Sequence, residues 1–234
     1  MPIRPPADPS VGLFRLSGLA LVIGGAAFIL HIASRSVLTS EMDLVTAYRD
    51  ALWVPINVLG VFGALLVLLG LPAMYARMAG STGLLGLAGV VLISLEWIFF
   101  GVFLSLFAVL VAPWLAGEAP ALVGTSSRLP AAFTIAFVTA LLAWLIGAVL
   151  LAIPLIRGGV RPRWVGVLLP ISAMWAVAGD LIAPSGPSTT LAVNLFSNLG
   201  PVLLVVALGR LGAGRWTEQA PTGNADSRMR PPAA

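Results

Sequence analysis

Residues 82–112 read TGLLGLAGVVLISLEWIFFGVFLSLFAVLVA, and Glu96 is the one ionisable side chain among them. Roughly 20 apolar residues cross a bilayer as a helix. This run is longer, so it predicts a transmembrane helix that tilts or extends into the interface. Five further runs have the same character: 11–33, 51–71, 130–156, 164–182 and 188–209. Pro72 follows the second of them and is expected to end it. The fold class read from these runs is all-α, a polytopic membrane helical bundle of about six spans. Residues 1–10 are Pro-rich and residues 210–234 are polar with Pro and Gly, so both read as disordered tails around a membrane domain at 11–209.

Composition agrees with the runs. Of 234 residues, 59% are apolar and 9% are charged, and mean hydropathy is +1.03. A soluble domain carries about 45–50% apolar and about 25% charged residues. A soluble globule, a nucleic-acid partner and a disordered chain are thereby excluded. The net charge of +4 and pI near 11.0 come from interfacial basic residues, all thirteen of them arginine. Ten fall on one side of the expected membrane: Arg4, Arg15, Arg77, Arg157, Arg161, Arg163, Arg210, Arg215, Arg228 and Arg230. Arg35, Arg49 and Arg128 fall on the other. The positive-inside rule then predicts that both termini are cytoplasmic. The first run is longer than a signal-peptide core and lacks a small-x-small cleavage site, so it reads as a retained span.

Absences narrow the chemistry. There is no Cys and no Lys, and His31 is the one histidine. Disulfides, thiolate metal sites, multi-His zinc sites, Schiff-base cofactors and the P-loop lysine are all excluded, and no cofactor or metal is expected. Gly83, Gly86 and Gly89 recur every third residue, a packing signal and not a phosphate loop. Ala20/Gly24 and Ala143/Gly147 have the small-x-x-x-small spacing that lets helices approach closely.

Polar residues inside the apolar runs are the candidate site, because a carboxylate at the bilayer centre costs about 2.5–3.5 kcal/mol on insertion scales. Glu96 lies near the middle of its run, with Phe100, Phe103 and Phe107 on one helical stripe after it. It reads either as a proton or ligand site with an aromatic wall, or as a protonated acid bonded across helices. Asp180 falls in the last turn of the fifth run, where the helix dipole disfavours it; His31 and Arg35 lie at matching depth. Asn57, Asn194 and Asn198 complete the set, and the last two share a face with Thr190. Each also has a bland reading: a neutral interfacial His31, a hydrated Asp180, amides that join helices. Pro201 frees the Ser197 carbonyl, and Pro170 is expected to kink the fifth run. Together Glu96, Asp180, His31, Asn57, Asn194 and Asn198 predict a polar pocket open to the outside and floored by Glu96.

Two features concern the boundaries. Ser40 is expected to cap a short helix in the 35–50 connection, with Met42, Val45 and Tyr48 resting on the bilayer surface. Trp53, Trp114, Trp164 and Trp216 are expected at membrane interfaces.

Ile156-Arg157-Gly158-Gly159-Val160-Arg161-Pro162-Arg163-Trp164, with Phe14-Arg15-Leu16-Ser17-Gly18-Leu19, resembles bacterial multi-span membrane proteins of the domain-of-unknown-function type. The resemblance implies an inner-membrane helical bundle and carries no activity. Three function classes follow from the residues. The first is a non-enzymatic protein that binds a small or lipophilic ligand, or serves as an accessory or sensor, with the lipid bilayer as its other partner. The second is a transporter or channel subunit using Glu96 as a proton or ion site. The weakest is a membrane-embedded enzyme: no nucleophile–base pair or cofactor motif is present, and Gly179-Asp180 matches only the end of the intramembrane aspartyl protease motif.

Overall fold

The structure, a computed structural model, describes residues 9–123, 130–157, 163–182 and 190–213. Every regular element among the described residues is helical. In chain order they are α1 (Pro9–Glu41), α2 (Leu44–Arg49), α3 (Trp53–Glu96), a π-helix (Trp97–Phe103), α4 (Leu104–Leu110), α5 (Ala112–Glu118), a 3₁₀ turn (Pro120–Leu122), α6 (Ala131–Arg157), α7 (Trp164–Ile182), α8 (Leu191–Ser197) and α9 (Leu199–Ala213). Three helical segments are long and apolar enough to cross a membrane: Arg15–Ser40, Trp53–Glu118 and Ala131–Arg157. A fourth is formed if α8 and α9, bent by 48° at their junction, count as one; Trp164–Gly179 is a shorter apolar helix. Leu16, Leu69, Leu84, Leu110 and Ile135 are all more than 60% exposed. A soluble monomer does not scatter so much apolar surface over its whole exterior, and a lipid-facing bundle does.

The 66-residue segment from Trp53 to Glu118 is a hairpin. Along a straight helix Trp53 and Ala108 would stand roughly 80 Å apart. Instead the Trp53 indole N–H donates to the Ala108 carbonyl at 2.7 Å. The reversal sits on Gly83 (φ 55°, ψ −153°), inside α3. That conformation is essentially closed to residues with a Cβ. Helix-end carbonyls at the turn find local donors: Ser81 and Thr82 hydroxyls donate to Met78 O, and the Tyr75 hydroxyl donates to Gly83 O. Pro72 does not end the helix, contrary to expectation. It forfeits one backbone bond and the helix continues to residue 82. α7 contains Pro170 within its span and continues as helix beyond it.

Close approaches between helices fix the packing. A Cβ on Gly24 of α1 would lie 2.7 Å from the Gly63 carbonyl oxygen, and one on Gly63 would lie 2.8 Å from Gly24 O. Gly89 and Gly147 make the same reciprocal contact between the second arm of α3 and α6. α9 lies against α1 and α7. In the half of the bundle nearest Gly83, Leu21, Leu71, Leu151, Leu155, Leu169, Leu204 and Leu208 are buried against one another's helices.

At the opposite end the boundary expectations change. α1 continues through Ser40, whose hydroxyl donates back to Val37 O, and Asp43 caps α2. Met42 and Tyr48 are half-buried and pack on Leu38, Ala47, Trp53 and Ala108. Trp53 is fully buried there, whereas Trp114 and Trp164 are exposed and Trp216 lies outside the described residues. Of the expected tails, residues 1–8 and 214–234 lie outside the described residues, and helix extends to Pro9 and Ala213.

Candidate functional site

A cavity of about 510 Å³ opens in the half of the bundle that carries α2. α1 supplies one continuous stripe: Phe28, His31, Ile32, Arg35, Ser36 and Thr39, at helical spacings of three and four. α2 covers the mouth with Leu44 and Tyr48. The floor and walls come from Glu96, Phe100 and Leu104, from Phe137, Leu141 and Trp144 of α6, and from Ala176 of α7. The α8–α9 junction closes the circle with Asn194, Ser197, Asn198 and Pro201.

Four of the six sequence-predicted site residues therefore meet: His31, Glu96, Asn194 and Asn198. Asn57 does not line the cavity. It is fully buried, its amide donates to Trp53 O at 2.8 Å, and its Oδ1 has no partner. Asp180 stands in the last turn of α7, and its side chain lies outside the described part of the structure.

Glu96 is 4% exposed. Its Oε2 is buried without a hydrogen-bond partner, and so is the Trp144 indole N–H. Both residues line the same cavity, and an unmet buried polar group costs about 1–3 kcal/mol. The expected stripe of Phe100, Phe103 and Phe107 is not what flanks Glu96. The π-helix at Trp97–Phe103 winds extra residues into its turns and shifts the register, so Phe100 and Leu104 face the cavity. Phe103 is instead 46% exposed and stacks on Phe99.

His31 is held in one orientation. Its Nδ1–H donates to the Ile56 carbonyl at 2.9 Å, and the ring lies over Gly60, where an added Cβ would come within 2.8 Å of His31 Cγ. In the neutral ring Nε2 is then the free acceptor. Arg35, one turn nearer the mouth, is exposed and lines the cavity. Its guanidinium lies 5.6 Å from the Trp53 ring centroid, a cation–π contact. It has no carboxylate partner among the described residues. Burial raises the Tyr48 phenol above its ordinary value, against the opposing pull of Arg35.

The α8–α9 break is built locally. Thr190 caps α8, the Asn198 amide donates to Asn194 O, and the Trp175 indole donates to Phe196 O at 2.9 Å. Pro201 sits in the first turn of α9, where its missing N–H costs nothing. Among the described residues no group of three or more His, Asp or Glu side chains is placed to hold a metal ion.

Sequence reading missed Arg35, Tyr48 and Trp144 as lining residues. The signal for Arg35 was available: it shares a helix face with His31, Ser36 and Thr39 in an otherwise apolar run. Comparison with protein-family models, with curated proteins and with solved structures finds no match.

Proposed function

We propose that this chain is an integral membrane protein whose bundle binds a small or lipophilic molecule in the cavity floored by Glu96. The observation that carries this reading is a cavity of ligand size lined by Glu96 and Trp144, side chains that each hold a buried polar atom without a partner. Small-molecule sites are mostly apolar clefts of about 300–1,000 Å³ with a few placed polar groups. A non-enzymatic role as a binding, accessory or sensor protein requires nothing more.

The membrane part of the reading is six spans, with the hairpin at Gly83 counted as two and α8 with α9 as one. The arginines support an orientation. Arg15, Arg77, Arg157, Arg163 and Arg210 stand toward the Gly83 end, and Arg35 and Arg49 toward the α2 end. This puts the Gly83 end and both termini in the cytoplasm of a bacterium and the cavity mouth outside.

The test is extraction of full-length protein purified in mild detergent, followed by mass spectrometry of the extract. The expected result is a lipophile at near-stoichiometric amount, reduced in Glu96→Gln and lost in Leu104→Trp, which narrows the cavity. A wild-type extract without any such molecule would sink the reading. A second reading, transport, is favoured by the 48° break between α8 and α9, which places Asn198 and Pro201 beside the same cavity as Glu96. Transporters build sites at broken helices. Proton-coupled flux in proteoliposomes that disappears in Glu96→Gln would select it over simple binding.

A further inference from the structure

We infer that the molecule the cavity takes is an amphiphile with an anionic head group, carboxylate or phosphate, seated on Arg35, and a hydrogen-bonding far end that meets Glu96 and Trp144. This rests on the ligand-binding reading of the cavity. Three observations carry it.

The first is the unneutralised guanidinium. Arg35 lies in an apolar helix, is oriented by the Trp53 ring, and meets no carboxylate among the described residues. Arginine presents a planar fork of donors that matches a carboxylate or phosphate in two parallel bonds. Arg35 and Glu96 both line the cavity and form no ion pair with each other, so the guanidinium still has its fork to offer. Tyr48, beside it at the mouth, adds a hydroxyl donor.

The second is depth. Arg35 and Phe28 are seven residues apart on α1, or about 10 Å along its axis. The Phe28 ring meets Trp97 with centroids 4.7 Å apart, and Trp97 follows Glu96 in the chain. Glu96 therefore lies about 10 Å deeper than Arg35, the length of a medium alkyl chain. The third is the lining between them: Ile32, Phe100, Phe137 and Leu141 present apolar surface, with His31 and Asn194 as the polar interruptions. A charged head, an apolar body and a polar far end is the order in which the walls are built.

The full chain in phosphatidylcholine nanodiscs tests this through equilibrium binding of radiolabelled decanoate, 10-hydroxydecanoate, decanol and decyltrimethylammonium. The expected order is 10-hydroxydecanoate, then decanoate, then decanol, with the cation weakest. Arg35→Gln removes the preference for decanoate over decanol, a change of about tenfold or more, and Arg35→Lys keeps much of it. Glu96→Leu abolishes the gain from the terminal hydroxyl and spares the acid preference. Repeating the measurement with phosphatidic acid in the discs separates the sources: competition identifies a lipid head group, and its absence a free amphiphilic acid. Saturable decanol binding, lost in Leu104→Trp but with no preference for the acid, overturns this inference and leaves the binding reading standing. Absence of saturable binding by every probe overturns both.

Discussion

Glu96 is where a single side chain sets the terms for the whole site. Its carboxyl is buried, and Oε2 lacks a partner within the protein. A buried polar group of this kind weakens the fold unless something else bonds to it, and replacing it by an apolar residue of similar shape is neutral or stabilising. Glu96→Leu is therefore expected to raise the melting temperature of the purified protein by a few degrees, reflecting about 1–3 kcal/mol of relieved desolvation. The same substitution is expected to weaken ligand retention, as in other sites where stability and function oppose each other. A melting temperature several degrees lower would show instead that the carboxyl holds helices together. His31 differs from Glu96 in this respect: its bond to Ile56 and its seat on Gly60 are complete without a ligand.

At the scale of elements, two features separate what sequence shows from what it hides. α2 is six residues long and held by its cap: Asp43 accepts from Val45 N and Thr46 N, and the Thr46 hydroxyl donates to it at 2.6 Å. The Thr46 side chain, and then the backbone donors, hold the Asp43 carboxyl below the usual range. A depressed folded-state pKa means the contribution is present above the unfolded pKa of about 3.9 and is lost as pH falls through the folded value. Protection of the Val45 and Thr46 amides, taken relative to an unstructured chain at the same pH, is expected to persist from neutral pH down to about pH 4 and to fall only below it; in Asp43→Ala it should be lost throughout. Hydrogen-exchange mass spectrometry over α2 reads both. The helix crossings supply a contrast in glycines. Gly63→Ala puts a Cβ against the backbone of α1, which cannot swing aside, and is expected to cost about 1–3 kcal/mol or more. Gly80→Ala meets nothing within 4 Å and should be neutral or stabilise by about 0.4–1 kcal/mol. Thermal melts of the two variants should move apart. Neither fate was legible from spacing, because glycines recur all along these runs and only the packed partner tells them apart. The same holds for Gly83, whose neighbours Gly86 and Gly89 repeat its spacing while it alone turns the chain. The polar residues were easier, since an apolar bilayer makes any His, Asn or Glu conspicuous. Tyr48 was harder to place because the face that α2 turns inward reads equally well as a face for lipid.

Across the whole molecule the leucine-rich core lies toward Gly83 and the cavity lies beneath α2. Hydropathy sees the spans and is blind to the cavity, which is lined by residues of the π-helix and of the α8–α9 break. Function depends on which half faces which compartment. A ligand entering at Arg35 comes from the side α2 faces, so orientation is the next quantity to measure. The chain holds no cysteine, which leaves single-cysteine labelling free of background. Gly80 and Gly117 are suited to it: both are exposed, and a side chain added at either meets nothing within 4 Å. The first ends the first arm of the hairpin just before the Gly83 turn, and the second lies in α5 at the far end of the second arm. On the six-span reading, Gly117→Cys is expected to react with a membrane-impermeant maleimide on intact cells, and Gly80→Cys only after the membrane is permeabilised. Labelling of both from the same side would defeat the hairpin as a pair of spans. The reverse pattern would keep the spans but turn the cavity mouth, with Arg35 and Tyr48, toward the cytoplasm, so that its ligand would have to come from inside the cell.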